Sequence, residues 1–219
     1  MHAVVVGNGE RPSLGLWNRL MQEDPVVLCA DGGADTAHEY GVIPYAVIGD
    51  LDSLSPDARA EVPPERVIRV DADNTGTDVQ KVLHWAVDLG VREAKLVGFT
   101  GGRTDHWLWN LSMLKLFGDA MRLCIIDDYC EVRLVRGTVK MRAQTGQKIS
   151  LTPLGGEAVG VTTRGLKFAL NGEMLALGVR DGISNEVTDS PVEIRVERGD
   201  LLVVVQREGY FDPVEWVTL

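Results

Sequence analysis

Ala94-Lys95-Leu96-Val97-Gly98, continuing as Phe99-Thr100-Gly101-Gly102-Arg103-Thr104-Asp105-His106, decides the fold. Its first part is a short apolar run of the kind buried on both faces of a parallel sheet. The second is a glycine turn that feeds a helical stretch at 104–117. Strand, turn and helix in that order form the first part of a βαβ unit. The same order recurs upstream, and one further strand follows the helix downstream. Strand-like runs fall at 2–6, 26–30, 46–49, 66–70, 94–98 and 123–127, with helical patterns between them at 14–22, 34–40, 77–89 and 104–117. The clearest helix places Val79, Val82, Leu83, Ala86 and Val87 on one face, with Thr77 and Gln80 reading as its capping box and Gly90 as its stop. The 104–117 helix is apolar nearly all round (Trp107, Leu108, Trp109, Leu111, Met113, Leu114), which predicts a central helix with these bulky positions in the core. The N-terminal half is therefore α/β, an open, mostly parallel sheet with flanking helices.

After Asp128 the helical period disappears. Short strand patterns follow at 131–136, 139–143, 148–151, 158–162, 167–170, 191–196 and 201–206, many of them separated by glycine turns such as Leu154-Gly155-Gly156, Asn171-Gly172 and Arg198-Gly199-Asp200. That is the pattern of an all-β unit, an antiparallel β-sandwich. The expected division is 1–128 and 129–219, with no flexible linker, repeat or low-complexity segment.

Composition narrows the function. The chain has 219 residues, 45% hydrophobic and 25% charged, which excludes a disordered or fibrous chain. With 22 Lys+Arg against 32 Asp+Glu the net charge is −10, and an acidic surface argues against a nucleic-acid partner. It does not argue against a phosphate substrate, because Mg²⁺ between carboxylates and a polyphosphate removes the repulsion. No apolar stretch approaches the roughly 18–20 residues that cross a bilayer, so no membrane partner is expected. The start, Met1-His2-Ala3-Val4-Val5-Val6-Gly7, lacks a basic n-region and a cleavage site, and no signal peptide is expected. Cys29, Cys124 and Cys130 are too few and too irregularly spaced for a disulfide framework or a zinc site. Cys29 and Cys124 lie inside strand-like runs, as buried inert thiols do, and the expected location is a reducing cytoplasm.

Four glycine-rich or acidic clusters fall where predicted strands end, which is where open α/β sheets bind ligands. Ala30-Asp31-Gly32-Gly33-Ala34-Asp35 turns tightly into a helix whose backbone N–H groups suit phosphate. Val47-Ile48-Gly49-Asp50-Leu51-Asp52-Ser53 sets two carboxylates one residue apart, able to share a hard cation and mutually repulsive without one. Asp71-Ala72-Asp73-Asn74-Thr75-Gly76-Thr77-Asp78 leads into the amphipathic helix, with Lys81 about one turn further on. In the fourth, Gly101-Gly102 permits close approach of a ligand, Arg103 can fork onto phosphate oxygens, and Asp105 starts a helix on which His106 and Asn110 share a face. Taken singly, each has a bland reading as a solvated turn, a dipole match or a core histidine. Their coincidence at the strand ends of one predicted sheet favours a binding site.

In order and spacing, Ala30-Asp31-Gly32-Gly33-Ala34, Ile48-Gly49-Asp50-Leu51-Asp52-Ser53, Thr77-Asp78-Val79-Gln80-Lys81 and Gly101-Gly102-Arg103-Thr104-Asp105-His106 resemble the thiamine pyrophosphokinase (thiamine diphosphokinase) family. The resemblance extends through Gly165-Leu166-Lys167-Phe168-Ala169-Leu170 and Ile183-Ser184-Asn185-Glu186, and so covers nearly the whole chain. It implies an α/β catalytic unit followed by a β-sandwich that takes thiamine, assembled as a homodimer with shared active sites. By motif, Asp50, Asp52 and Asp78 would hold Mg²⁺, with Asp105 at the reacting centre. Arg103 and Lys81 would pair with phosphate oxygens, while Asp31, Gly32, Gly33, Ser53, Thr77, Gly101, Gly102 and His106 would line the ATP site. Phe168 would pack on thiamine, and Ser184 and Asn185 would hydrogen-bond its pyrimidine. Two positions depart from the family pattern: Phe168 stands where many members carry Trp, and Gln80 where an acidic residue is common.

The reaction implied is transfer of pyrophosphate from ATP to the thiamine hydroxyl, giving thiamine diphosphate and AMP, with either Asp105 or Asp78 orienting that hydroxyl. Two rivals stand beside it. A DxD-type nucleotide-sugar glycosyltransferase fits Asp50-Leu51-Asp52 but leaves 101–106 and Ser184-Asn185 without a role. A non-catalytic nucleotide- or thiamine-binding module would not need the full set of aspartates.

Overall fold

A computed structural model describes residues 1–70, 76–207 and 215–218. The chain divides into two compact units, Met1–Asp127 and Asp128–Leu219.

Six parallel strands form the sheet of the first unit: β1 (His2–Val6), β2 (Val26–Ala30), β3 (Ala46–Gly49), β4 (Val67–Arg69), β5 (Glu93–Val97) and β6 (Arg122–Ile126). Their spatial order is β6-β5-β1-β2-β3-β4. Each lies within about a residue of its sequence expectation, because a strand buried on both faces carries an uninterrupted apolar run. The helices are α1 (Leu14–Met21), α2 (Gly33–Glu39), α3 (Pro56–Glu61), α4 (Asp78–Asp88) and α5 (Thr104–Phe117). The short α3 was not expected, although Ser55 caps it by accepting the Ala58 N–H and Pro56 opens it. Cys29 and Cys124 are buried as expected, and burial pushes the Cys29 thiol far above its usual range.

Two expectations about the helices fail. The Thr77 side chain makes no cap bond on α4, so the predicted capping box does not form. Helix α5 is not central: Asn110, Met113, Leu114 and Phe117 are buried, while Leu108 and Trp109 are exposed. A helix lying on one face of an open sheet has a single inward face, and apolar composition alone does not identify which residues occupy it.

The chain runs from β1 outward through β2, β3 and β4, then returns to place β5 on the other side of β1. The carboxyl ends of β1 and β5 therefore flank a topological switch point. Here the backbones meet with no room for side chains: a Cβ on Gly7 would lie 2.6 Å from the Gly98 carbonyl oxygen. Gly33 is more constrained still, since its Cβ would fall 2.1 Å from the Val6 carbonyl oxygen. Gly33→Ala is expected to cost about 1–3 kcal/mol or more of stability, read as a lowered denaturation midpoint. A midpoint like that of the natural chain would mean that the start of α2 is free to move away from β1.

The second unit is antiparallel throughout. Its frame is two long strands, β7 (Cys130–Arg142) and β12 (Val192–Gln206), paired along their length. Around them run β8 (Lys148–Pro153), β9 (Ala158–Arg164), β10 (Asn171–Leu175), β11 (Gly182–Glu186) and β13 (Glu215–Thr218). The first half of β12 pairs with β9 and the second half with β8. A register shift between Val196 and Leu201 lets Val192, Ile194 and Val196 enter the same core as Leu201, Val203 and Val205. A strict alternation would have sent one of these triplets to the other face. The expected breaks near Gly137 and Gly199 are bends within continuous strands, and the strand expected at 167–170 is absent, replaced by an arch with one isolated bridge, Leu166 to Val187.

Candidate active site

A cleft of roughly 350 Å³ opens at the switch point of the first unit. Its walls come from the carboxyl ends of four strands and the loops after them: Gly7, Asn8 and Gly9 after β1, Ala30 at the end of β2 with Asp31 after it, Ser53 after β3, and Gly98 to Arg103 after β5, apart from Thr100. Thr77, Asp78 and Val79 at the start of α4 and His106, Trp107 and Asn110 of α5 complete it. Asn110 is buried and donates through Nδ2 to the Phe99 carbonyl at 2.9 Å, which fixes the loop after β5 to the helix that follows.

Three carboxylates meet here. One oxygen from each of Asp31, Asp50 and Asp78 lies within 4.8 Å of the others. Asp31 is buried and takes φ +45°, and its Oδ2 accepts the Ser53 N–H at 3.2 Å. Its other oxygen, Oδ1, is buried with no hydrogen-bond partner among the described residues. Burial raises the Asp31 carboxyl above the usual carboxylate range; the two Ser53 hydrogen bonds pull it down, and the Asp78 and Asp52 charges push it up. Thr77 Oγ1 and Thr100 Oγ1 are likewise buried and unpartnered among the described residues. Two of these three atoms, Asp31 Oδ1 and Thr77 Oγ1, belong to residues that line one cleft, as in a site built for a polar ligand. Leu51, between Asp50 and Asp52, also takes a positive φ of +67° while its side chain packs against the core. Such strain persists only where surrounding structure holds it, as binding sites do.

The remaining expected residues fall as follows. Asp52 is exposed, outside the three-carboxylate group, and its Oδ1 accepts the Ser53 hydroxyl at 2.9 Å. Lys81 does not line the cleft; its side chain is 4% exposed and its ammonium donates to Asp78 Oδ1 at 2.8 Å. Gly32 and Gly33 are buried beneath the turn, and a Cβ on Gly32 would meet Asn8 Nδ2 at 2.5 Å. Gly101 and Gly102 line the cleft with φ +71° and +60°, conformations a residue with a Cβ resists. Arg103 reaches Asp105 through Nε at 3.1 Å and through its terminal nitrogen at 2.5 Å, both side chains being exposed. That bidentate pair holds the Asp105 carboxyl down at about 2. His106 is an exposed wall residue and not a core histidine. The part of the third cluster at 71–75 lies outside the described residues.

Gly7-Asn8-Gly9 was not anticipated. A Gly-Asn-Gly run directly after the first strand was the available signal, but its importance comes from the placement of β1 beside β5.

In the second unit, Phe168 projects from the 166–170 arch with 62% of its surface exposed. Ser184 is exposed with φ +56°, its backbone N–H on Ser150 Oγ at 3.0 Å. Asn185 turns inward instead, 3% exposed, with its carboxamide bonded to the Phe168 backbone.

Comparison with known proteins identifies a family. A protein-family model described as thiamin pyrophosphokinase, catalytic domain, matches residues 17–125, and one described as thiamin pyrophosphokinase, vitamin B1 binding domain, matches 138–201. The thiamine pyrophosphokinase of Bacillus subtilis is 28% identical over 181 residues, covering 80% of this chain and 84% of that one. Thiamine pyrophosphokinase 2 of Oryza sativa subsp. japonica is 28% identical over 234 residues, covering 92% and 84%. The crystal structure of thiamin pyrophosphokinase from Geobacillus thermodenitrificans superposes with a TM-score of 0.81 at 26% identity, over 94% of this chain and 97% of that one. With both family models matched in order along most of its length, this chain belongs to the thiamine pyrophosphokinase family.

Proposed function

We propose that the protein transfers the pyrophosphoryl group of ATP to the hydroxyl of thiamine, giving thiamine diphosphate and AMP, with Mg²⁺ as the metal. The observation that carries this reading is the group formed by Asp31, Asp50 and Asp78, one of whose oxygens is buried and unpartnered among the described residues. Three hard oxygen donors converging in a cleft with room for waters and phosphates fit Mg²⁺, which takes few protein carboxylates and shares the rest of its shell. We therefore assign the metal to Asp31, Asp50 and Asp78, with Asp52 at the margin of the set. When bound, the ion supplies neutralisation of the charge on the polyphosphate and on the carboxylates themselves.

The chain's own part is orientation and charge. Backbone at Gly7 to Gly9 and at Gly101 and Gly102 lets phosphate oxygens approach closely, and Ser53, Thr77 and His106 offer hydrogen bonds from the walls. Arg103 at the cleft edge exchanges its Asp105 partner for phosphate oxygens and meets the charge that builds as the bond to AMP breaks. Lys81 acts through Asp78, whose carboxylate it steers from behind. The thiamine hydroxyl oxygen attacks the β-phosphorus, AMP departs in line, and the hydroxyl proton leaves to solvent. Once Arg103 turns to the phosphates, the Asp105 carboxyl returns from about 2 toward the ordinary carboxylate range, still far below that of an alcohol, and we assign no dedicated base. Phosphoryl chemistry of this kind depends on positioning more than on covalent help. Phe168 and Ser184 provide an exposed aromatic face and a hydroxyl for thiamine's rings.

Purified protein given ATP, Mg²⁺ and thiamine should release AMP only when thiamine is present, and a chelator should stop it. Absence of thiamine-dependent AMP would overturn the reading and return the non-catalytic binding module. The DxD glycosyltransferase is disfavoured by family membership.

We also propose a cytoplasmic homodimer with active sites shared between subunits. No helix among the described residues is long and apolar enough to cross a membrane. Mixing Asp50→Asn with Phe168→Ala, at a thiamine concentration where each alone is silent, should restore about a quarter of natural activity when half the dimers are mixed. No recovery in demonstrated heterodimers would place each site within one chain.

A further inference from the structure

Among the described residues, the arch that carries Phe168 has no ladder of its own. Its feet are secured in the core by Leu166 and Leu170, each 5% exposed. Leu166 bridges Val187, and Leu170 exchanges hydrogen bonds with Thr163, donating to Oγ1 and accepting from its N–H, both at 2.9 Å. Lys167 donates its N–H to the Glu186 carbonyl at 2.9 Å. At the crown, Phe168 would have an unpaired backbone were it not for one side chain. Asn185 Oδ1 accepts the Phe168 N–H at 3.0 Å, and Asn185 Nδ2 donates to the Phe168 carbonyl at 2.8 Å. The carboxamide thus replaces a strand, presenting an acceptor and a donor to one residue.

Strand β11 is built to aim it. Gly182 pairs with Leu151 and Asn185 with Ile149, so three steps on β11 oppose two on β8. This bulge, with Ser184 at φ +56°, leaves Ile183 and Ser184 both exposed and swings Asn185 inside. The carboxamide is then nearly exhausted. Oδ1 also accepts the Glu186 N–H at 2.9 Å, which uses both its lone pairs, and at 3% exposure the remaining amide hydrogen is not offered to solvent.

We propose that Asn185 is a positioning residue: it holds the Phe168 backbone so that the ring stands ready for a flat, cationic heteroaromatic substrate, and it does so without touching that substrate. This rests on the thiamine reading above. Asn185 then governs thiamine capture through Phe168, and a direct hydrogen bond to the pyrimidine is left to Ser184.

A double-mutant cycle tests it. Asn185→Asp keeps the shape but sets a carboxylate oxygen against the Phe168 carbonyl, and should lower kcat/KM for thiamine about tenfold, through KM rather than kcat. In a Phe168→Ala background the same substitution should cause no further loss. Losses that multiply would mean that Asn185 contacts substrate itself and would overturn the proposal. Hydrogen exchange gives a readout independent of substrate: the Phe168 amide should exchange at least about tenfold faster in Asn185→Ala and in Asn185→Leu, which remove its acceptor, with β7 and β12 protection retained. Unchanged exchange in variants that fold would also overturn it. Should the natural chain release no thiamine-dependent AMP, the thiamine reading fails by its own assay, while exchange at Phe168 still decides whether the clamp exists.

Discussion

Asp31→Asn is expected to reduce turnover by at least about 10²–10³-fold and, at the same time, to raise the melting temperature of the metal-free protein. Both effects come from one cause. Burial, with Asp78 and Asp52 nearby, raises the Asp31 carboxyl pKa in the folded chain, so the native state binds its proton more tightly than the unfolded state does. A raised carboxyl favours folding at low pH and loses that contribution as pH climbs from the unfolded pKa through the folded one. At neutral pH the ionised group therefore opposes folding unless a cation is present. Asparagine removes the charge, and relief should appear as about 2–4 °C in Tm per kcal/mol recovered. The gain should fade as pH is lowered through the carboxylate range, where Asp31 is protonated and neutral in the natural chain as well. Mg²⁺ should raise the Tm of the natural protein by mass action and have little effect on the variant. Equal Mg²⁺ shifts in the two proteins would remove Asp31 from the metal set.

Replacing Arg103 is expected to lower kcat by about tenfold or more for lysine and by about 10²–10³-fold for alanine. Lysine keeps the charge and loses the planar fork, so the difference between the two variants separates geometry from charge. Stability should be nearly unchanged, because the Arg103–Asp105 pair is exposed and such pairs contribute little. Freed of Arg103, the Asp105 carboxyl should climb from about 2 back toward the ordinary carboxylate range, observable by NMR titration. A variant altered only in its KM for ATP would show that Arg103 holds substrate and transition state equally.

The α/β order was legible because each buried parallel strand is a local apolar run and each helix a local period. The cleft was legible only in pieces. Asp31, Asp50 and Asp78 follow three different strands, and no local pattern states that their oxygens will meet. Gly7 to Gly9 matters because the strand order brings β1 against β5, a consequence of topology and not of the tripeptide. The 167–170 stretch has a strand-like pattern, yet Asn185 takes the hydrogen bonds that a strand partner would have made. Breaks expected at Gly137 and Gly199 are bends in β7 and β12, since glycine serves a turn and a bulge equally well. Helix α3 is too short for a period to emerge, and only Ser55-Pro56 announced it.

The central claim is that both outer phosphates of ATP move together to thiamine. ATP labelled in the γ-phosphate, incubated with the purified protein, Mg²⁺ and thiamine, tests it most directly. The account predicts one labelled thiamine diphosphate for every AMP, with the label in the terminal phosphate and neither ADP nor thiamine monophosphate accumulating. Label appearing in thiamine monophosphate alongside ADP, or in inorganic phosphate alone, would contradict it.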